Sequence, residues 1–325
     1  MTRLVLPDDP RASRLFEELN AAYFRFLEKL PPPVQALGRR RQPYLGGPDS
    51  EPFGGVPELN PVLAATPWLF WETFCGLDDN TFLRIAEAGA CYVVGSIVLD
   101  HIVDGQADPL GTTALLHQAL YEHGLAGFRT TFPSDSPFWE HFSRLGASHL
   151  AALSAELEHQ DPAAPVSFTD LRDMAEGKVS PIVSTLAALC EASDRPELLA
   201  PIETSLNHIA VASQLLDDIG DWRQDIEAHH FTYFLAQLAG EQKLDRGGWP
   251  GVEPLQARVD RDWTDVEQLR VVLDDLNLSL QAVHDLRCSG WTAYVRGYQE
   301  LTDQHLTQAL ARHLARVLRP LIPAG

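Results

Sequence analysis

The sequence predicts an all-α protein built as one helical bundle. Apolar residues recur at three- and four-residue spacing through nearly all of the chain beyond its first third. Alternating strand patterns bounded by hairpin signals are almost absent. The breaks between periodic segments are local.

In chain order, a first helical segment leads into Leu30–Pro61, a Pro- and Gly-rich stretch read as a long irregular connection. Helical periodicity then covers Asn80–Asp108, Thr113–Gly124, Pro137–Gln160, Asp170–Glu191 and Leu198–Ala228. Two further segments run from about Thr264 to Asp285 and from Thr292 to Leu318. Asp161–Ser167 separates two helices, and Ser167 or Thr169 is placed to cap the second, since a side-chain oxygen there satisfies a free helix N–H. Gly240–Val252, which contains Gly-Gly-Trp-Pro-Gly, is another break. No break is long enough to be an interdomain linker, and no repeat with a period of about 20–50 residues is present. Residues 1–325 are therefore expected to form a single domain of roughly ten helices.

Bulk composition narrows the function. The 325 residues are 45% hydrophobic and 22% charged, ordinary globular values that allow a substantial core. A formal charge of −20 repels nucleic acid and anionic lipid, which argues against partners bound through a phosphate backbone. A phosphorylated small molecule meets the same repulsion unless cations intervene. Cys75, Cys91, Cys190 and Cys288 are far apart and form no Cys-x-x-Cys pair, so they read as small buried hydrophobes rather than zinc ligands. The N-terminus lacks the apolar core of a signal peptide. No uncharged apolar stretch of about 18 residues stands out, so no membrane span and a cytoplasmic location are expected.

Two acidic clusters carry the chemistry. Asp100, Asp104 and Asp108 stand at i, i+4 and i+8, a spacing that puts them on one helix face. The residues before them are apolar on almost every side, as in a buried helix. A carboxylate face therefore emerges at the end of a core helix, where desolvation makes unpaired charge expensive and the macrodipole opposes it. The second cluster, Gln214-Leu-Leu-Asp217-Asp218-Ile-Gly-Asp221-Trp-Arg-Gln-Asp225, repeats the pattern with Asp217, Asp221 and Asp225 and adds Asp218. Either cluster alone could be a solvated helix end; a pair, each behind an apolar flank, points to hard divalent cations. Magnesium typically takes one or two carboxylates plus phosphate and water oxygens. Such ions would also let an acidic protein hold an acidic diphosphate.

On these motifs the chain resembles the class I isoprenoid synthases, which include trans-prenyltransferases, squalene and phytoene synthases and class I terpene cyclases. Gln214–Asp221 is similar to the second aspartate-rich motif of trans-prenyltransferases, Q-x-x-D-D-x-x-D. Asp100-His-Ile-Val-Asp104 departs from their first motif, D-D-x-x-D, and is closer to the D-x-x-x-D of squalene and phytoene synthases. Lys178 resembles the family lysine that contacts the diphosphate, with Val179 where a threonine is usual. Gly38-Arg39-Arg40-Arg41-Gln42-Pro43 resembles the loop that binds isopentenyl diphosphate in chain-elongating members, with Arg39 and Arg40 on the matching basic positions and Gln42 in place of an arginine. The resemblance covers about residues 80 to 235.

It implies a bundle with a deep apolar cavity between the two acidic helices. Asp100 and Asp104 would ligate magnesium from one wall and Asp217 and Asp221 from the other, with Asp218 and Asp225 as direct or outer ligands. Lys178, Gln214 and Arg223 would serve the substrate. The elongating enzymes carry an Arg-Arg pair soon after their first motif, whereas Asp108 is followed here by Pro-Leu-Gly-Thr-Thr-Ala. That loss favours a terpene synthase, a magnesium-dependent lyase that cyclises or rearranges one prenyl diphosphate. A prenyltransferase, elongating a chain or joining two prenyl units, is the alternative, and a homodimer is the family habit. From other classes, an HD-type phosphohydrolase would have to use His284-Asp285, far along the chain from both ladders. A non-catalytic helical protein would show no magnesium-dependent stabilisation by diphosphate. His229 and His230 follow the second motif and read as ordinary loop residues. Trp68, Phe70, Trp71 and Phe74 read as core.

Overall fold

The computed structural model describes residues 6–40, 55, 61–105, 107, 109–159, 166–228, 230–240 and 251–318. Fourteen α-helices and no strand longer than a single bridge residue occur among them. After α1 (Pro10–Leu27) comes α2 (Pro32–Gly38), a short helix inside the stretch expected to be irregular. The turns α3 (Pro61–Ala64), α4 (Thr66–Leu69) and α5 (Trp71–Phe74) follow. The bundle proper is α6 (Asp79–Val103), α7 (Leu110–Thr131), α8 (Phe138–His159), α9 (Phe168–Ala192) and α10 (Leu199–Ala228). It is completed by α11 (Tyr233–Ala239), α12 (Val252–Asp262), α13 (Thr264–Ala282) and α14 (Ser289–Leu318).

α6 is the axis of the molecule, because from Ala88 to Leu99 its sequence leaves no charged side. Asp78 caps it by accepting the Thr81 N–H at 3.0 Å, and the residues from Ala88 to Ser96 are all buried. By length and composition α6 could cross a membrane, an exception to the expectation drawn from the sequence, but its most apolar stretch is 72% buried inside the bundle. It packs against α7 and α9; α9 in turn packs on α8 and α10, and α10 on α13. Small residues set the α6–α7 spacing: a Cβ on Gly124 of α7 would lie 2.8 Å from the Ala88 carbonyl oxygen. Tyr92, Phe128, Phe138 and Phe142 interlock beneath this contact, with ring centroids 5.1–6.3 Å apart among the touching pairs. Each fully buried ring or leucine contributes about 1.5–3 kcal/mol by leaving water.

The expected aromatic core near the N-terminus is present. Trp68, Phe70, Trp71 and Phe74 are all buried, and the Trp68 indole N–H donates to the Ala12 carbonyl at 2.9 Å. Trp291 stacks on Phe70 and donates to Ser205 Oγ, tying α14 to α10. Of the four cysteines, Cys91, Cys190 and Cys288 are buried thiols, whereas Cys75 is exposed.

Candidate active site

The first acidic face sits where α6 ends. Asp100 lies in its last turn and Asp104 is its C-cap, with the Asp104 N–H bonded to the Asp100 carbonyl at 2.9 Å. Gly105 then turns the chain with φ +70°, a left-handed conformation that glycine adopts freely and that stops the helix. α6 therefore does not carry the ladder on to Asp108, which lies outside the described residues. Burial pushes the Asp104 carboxyl up to about 6, with Asp100 and Glu156 adding repulsion and Lys178 and His230 opposing it.

The second face lies on α10. Asp218 is 2% exposed and accepts a hydrogen bond from Gln214 Nε2 at 2.9 Å. Burial raises its carboxyl to about 7, partly offset by that bond. Asp221 is raised to about 6 by burial and then by Asp225 and Asp217, while Asp217, nearer the rim, is also raised by burial and Asp225. Asp225 accepts the His230 N–H through its backbone carbonyl at 2.8 Å, and its side chain faces His230 Nδ1 at 3.4 Å. This contact raises the His230 imidazole above its ordinary value. Buried Oδ2 atoms of Asp218 and Asp225 have no hydrogen-bond partner among the described residues. Unpaired buried carboxylate oxygens are costly, and an oxygen-seeking ligand is the usual reason to keep them.

Lys178 joins the two faces. It comes from α9, whose start is fixed by a capping box between Ser167 and Asp170. Three residues beyond Lys178, Pro181 sits inside the helix and cannot donate to the Gly177 carbonyl. His149 Nδ1 of α8 takes that free carbonyl at 3.3 Å, and burial holds the ring below its ordinary value, in the neutral form. Gly177 lets the helices meet, since a Cβ there would stand 2.4 Å from the Ala152 Cβ and 2.6 Å from the Ser148 carbonyl oxygen. This junction sets the Lys178 ammonium 2.7 Å from Glu156 Oε1, 2.6 Å from Glu156 Oε2 and 3.3 Å from Asp100. Burial pulls the ammonium down, but Asp100 and Glu156 outweigh it and hold the group above its usual value.

Sequence reasoning misses Glu156, although a signal exists. It continues the buried stripe Phe142–Leu145–His149–Ala152 of α8 at helical spacing, an acid on an apolar line. His230, read from the sequence as a loop residue, stands between the acidic faces.

Other expected residues lie elsewhere. Arg223 is exposed, with its guanidinium 4.4 Å from the Trp222 ring and hydrogen-bonded to Gln256. Two residues on from Asp221, helical rotation turns it away from the acidic face. Arg39 pairs with Glu28 at 3.2 Å and lies over the Phe24 ring, and Arg40 is exposed at the end of α2. Among the described residues, no ion pair links either to the aspartates of the acidic helices. Arg41 and Gln42 lie outside the described residues. His284 and Asp285 pair on the surface at 3.1 Å.

A small cavity lies beside the second acidic face. A cavity of about 40 Å³ is lined by Glu156, Lys178, Gln214, Asp218, His230 and Met174, among others. That volume admits a water or two and no prenyl chain. The larger groove, about 800 Å³, lies beside Trp71 and Tyr294, against the part of the bundle where Trp71 meets Phe82 at the start of α6. Asp100 lies about 27 Å along the helix from there.

The side chains gathered here are mostly oxygen donors. Among the described residues the buried Oδ2 atoms of Asp218 and Asp225 have neither a hydrogen-bond nor an ion-pair partner, and Lys178 and His230 line the cavity beside Asp218. Among the described residues no three acidic, histidine or cysteine side chains close a metal cage by themselves.

No protein-family model matches the sequence, and no curated protein matches it. Solved structures do match. A geranylgeranyl pyrophosphate synthetase from the archaeon Geoglobus acetivorans superposes with TM-score 0.66 and 16% identity, over 91% of this chain and 97% of that one. The geranylgeranyl pyrophosphate synthetase of Pyrococcus horikoshii gives 0.65 and 13%, over 88% and 97%. A polyprenyl synthetase from Streptomyces coelicolor gives 0.64 and 13%, over 88% and 98%. With the paired acidic faces on two of its core helices, this chain has the all-α fold of the class I isoprenoid synthases.

Proposed function

We propose that the protein is a magnesium-dependent prenyltransferase that ionises an allylic prenyl diphosphate and passes the prenyl group to an acceptor. The observation carrying this reading is the gathering of Asp100 and Asp104 on one side and Gln214, Asp218 and Asp225 on the other about one half-buried lysine. That the similar folds belong to geranylgeranyl and polyprenyl synthetases supports transfer over cyclisation.

Asp100, Asp104, Asp217, Asp218, Asp221 and Asp225 would hold magnesium, which when bound supplies positive charge against the departing diphosphate. Lys178 binds diphosphate oxygens, and its contact strengthens as charge builds on the leaving group, where a transition state gains most. Gln214 fixes the Asp218 carboxylate through its side-chain bond, and His230 holds Asp225 in the same way. Val166, Leu171, Met174 and Phe231 line the apolar side of the cavity, where water would otherwise capture an allylic cation.

A second reading, a terpene synthase acting on one substrate, is favoured by one observation. The cations expected for a second diphosphate are missing or engaged: Pro109–Ala114 carries no charge, and Arg39 is held by Glu28. Product analysis separates the two. Purified protein is incubated with magnesium and geranyl, farnesyl or geranylgeranyl diphosphate, with and without isopentenyl diphosphate. A longer diphosphate that needs isopentenyl diphosphate establishes chain elongation. A hydrocarbon or alcohol from one allylic substrate alone makes the protein a terpene synthase and overturns the transfer reading.

A further inference from the structure

The Lys178 ammonium is caught between two acids of different standing. Asp100 belongs to an acidic face, while Glu156 comes from α8 and, among the described residues, is hydrogen-bonded through its side chain to Lys178 alone. Both Glu156 oxygens lie within 2.7 Å of Nζ, and the Glu156 side chain is only 16% exposed. Glu156 and Lys178 also line the same 40 Å³ cavity as Gln214, Asp218 and His230. A carboxylate with two oxygens on an ammonium presents the same acceptor geometry as two oxygens of a diphosphate.

We propose that Glu156 is an internal stand-in for the diphosphate: it holds Lys178 before substrate arrives and is displaced when a diphosphate binds. This rests on the reading of the cluster as a diphosphate site and assigns it a positioning residue. Breaking a buried pair by removing one partner leaves an uncompensated charge. A ligand that displaces Glu156 therefore has to bring at least one full negative charge to Lys178, which a prenyl alcohol does not. Glu156 thereby lowers the affinity for weaker anions and keeps the lysine oriented until substrate binds. Because Glu156 sits on α8, apart from both acidic helices, its release leaves the carboxylates of α6 and α10 in place to meet the metal-bound diphosphate.

The test uses the full chain with inorganic pyrophosphate as the probe, read by calorimetry with and without magnesium. E156Q keeps the shape and removes the competing charge. It should bind pyrophosphate without magnesium about tenfold more tightly than wild type, equivalent to about 1.4 kcal/mol. In turnover, KM for the allylic diphosphate should fall while kcat changes little. E156D, one methylene shorter, should fall between the two. K178M should erase the difference between Glu and Gln at position 156. A merely structural glutamate would instead lower thermal stability and weaken binding together. Pyrophosphate bound by wild type with magnesium but equally or more weakly by E156Q overturns the displacement and leaves the site reading intact. Pyrophosphate bound by neither protein under either condition overturns both.

Discussion

Asp218 shows what a single residue gives up for this site. Its carboxylate is almost completely buried, one oxygen is satisfied by Gln214, and the other has no partner among the described residues. Burial raises the group to about 7, so the metal-free fold carries a charge it would rather neutralise. Asp218→Asn should therefore stabilise the metal-free protein at pH 8 by on the order of 2 kcal/mol while abolishing turnover, a stability–activity exchange. Chemical denaturation alongside the activity assay checks both halves, and a destabilised variant would mean that the charge is already paired. Asp100→Asn and Asp217→Asn should each abolish turnover with the helical circular dichroism unchanged.

Among the helices, the α8–α9 junction positions Lys178. Gly177→Ala would drive a methyl into the Ala152 side chain and the Ser148 carbonyl, and backbone cannot yield as a flexible side chain does. The expected cost is about 2–3 kcal/mol in stability, together with a loss of turnover larger than the change in folded fraction explains. Melting curves and kcat/KM measured on the same samples decide it. The proline inside α9 adds a pH signature. His149 is neutral in the fold and its pKa lies below the ordinary value near 6.5, so its contribution is complete above that value and is lost as pH falls below it. The stability difference between wild type and His149→Gln should accordingly shrink between about pH 7.5 and 5, as followed by urea denaturation. A constant difference would show that His149 does not titrate between the folded and unfolded states.

For the protein as a whole, the dominant quantity is the charge of −20, with acids gathered on two helix ends. Magnesium with pyrophosphate should raise the melting temperature more than either alone, because each relieves the repulsion that the other meets. At ligand concentrations about 100 times Kd the gain is about 2.7 kcal/mol. Chelation should remove it, and Asp100→Asn should reduce it sharply in a thermal-shift assay. Equal melting curves with and without both ligands would favour a non-catalytic helical protein.

The helical class, the order of the main helices and the two acidic faces follow from the amino-acid order alone. These are local properties: a 3.6-residue period fixes which side chains share a face, and an apolar flank fixes which helices are buried. Segment boundaries for α8, α9 and α10 are legible to within a residue or two for the same reason. α6 itself ends at a left-handed Gly105, and Asp108 lies outside the described residues. Arg223 and Arg39 can be matched to motif positions, yet their partners, Trp222, Gln256, Glu28 and Phe24, are chosen by packing. Packing also brings Glu156, Lys178 and His230 between the two faces, since these residues come from α8, α9 and the connection after α10. Spacing along one helix is set by the backbone of that helix; distance between helices is set by the small residues and rings that let them approach.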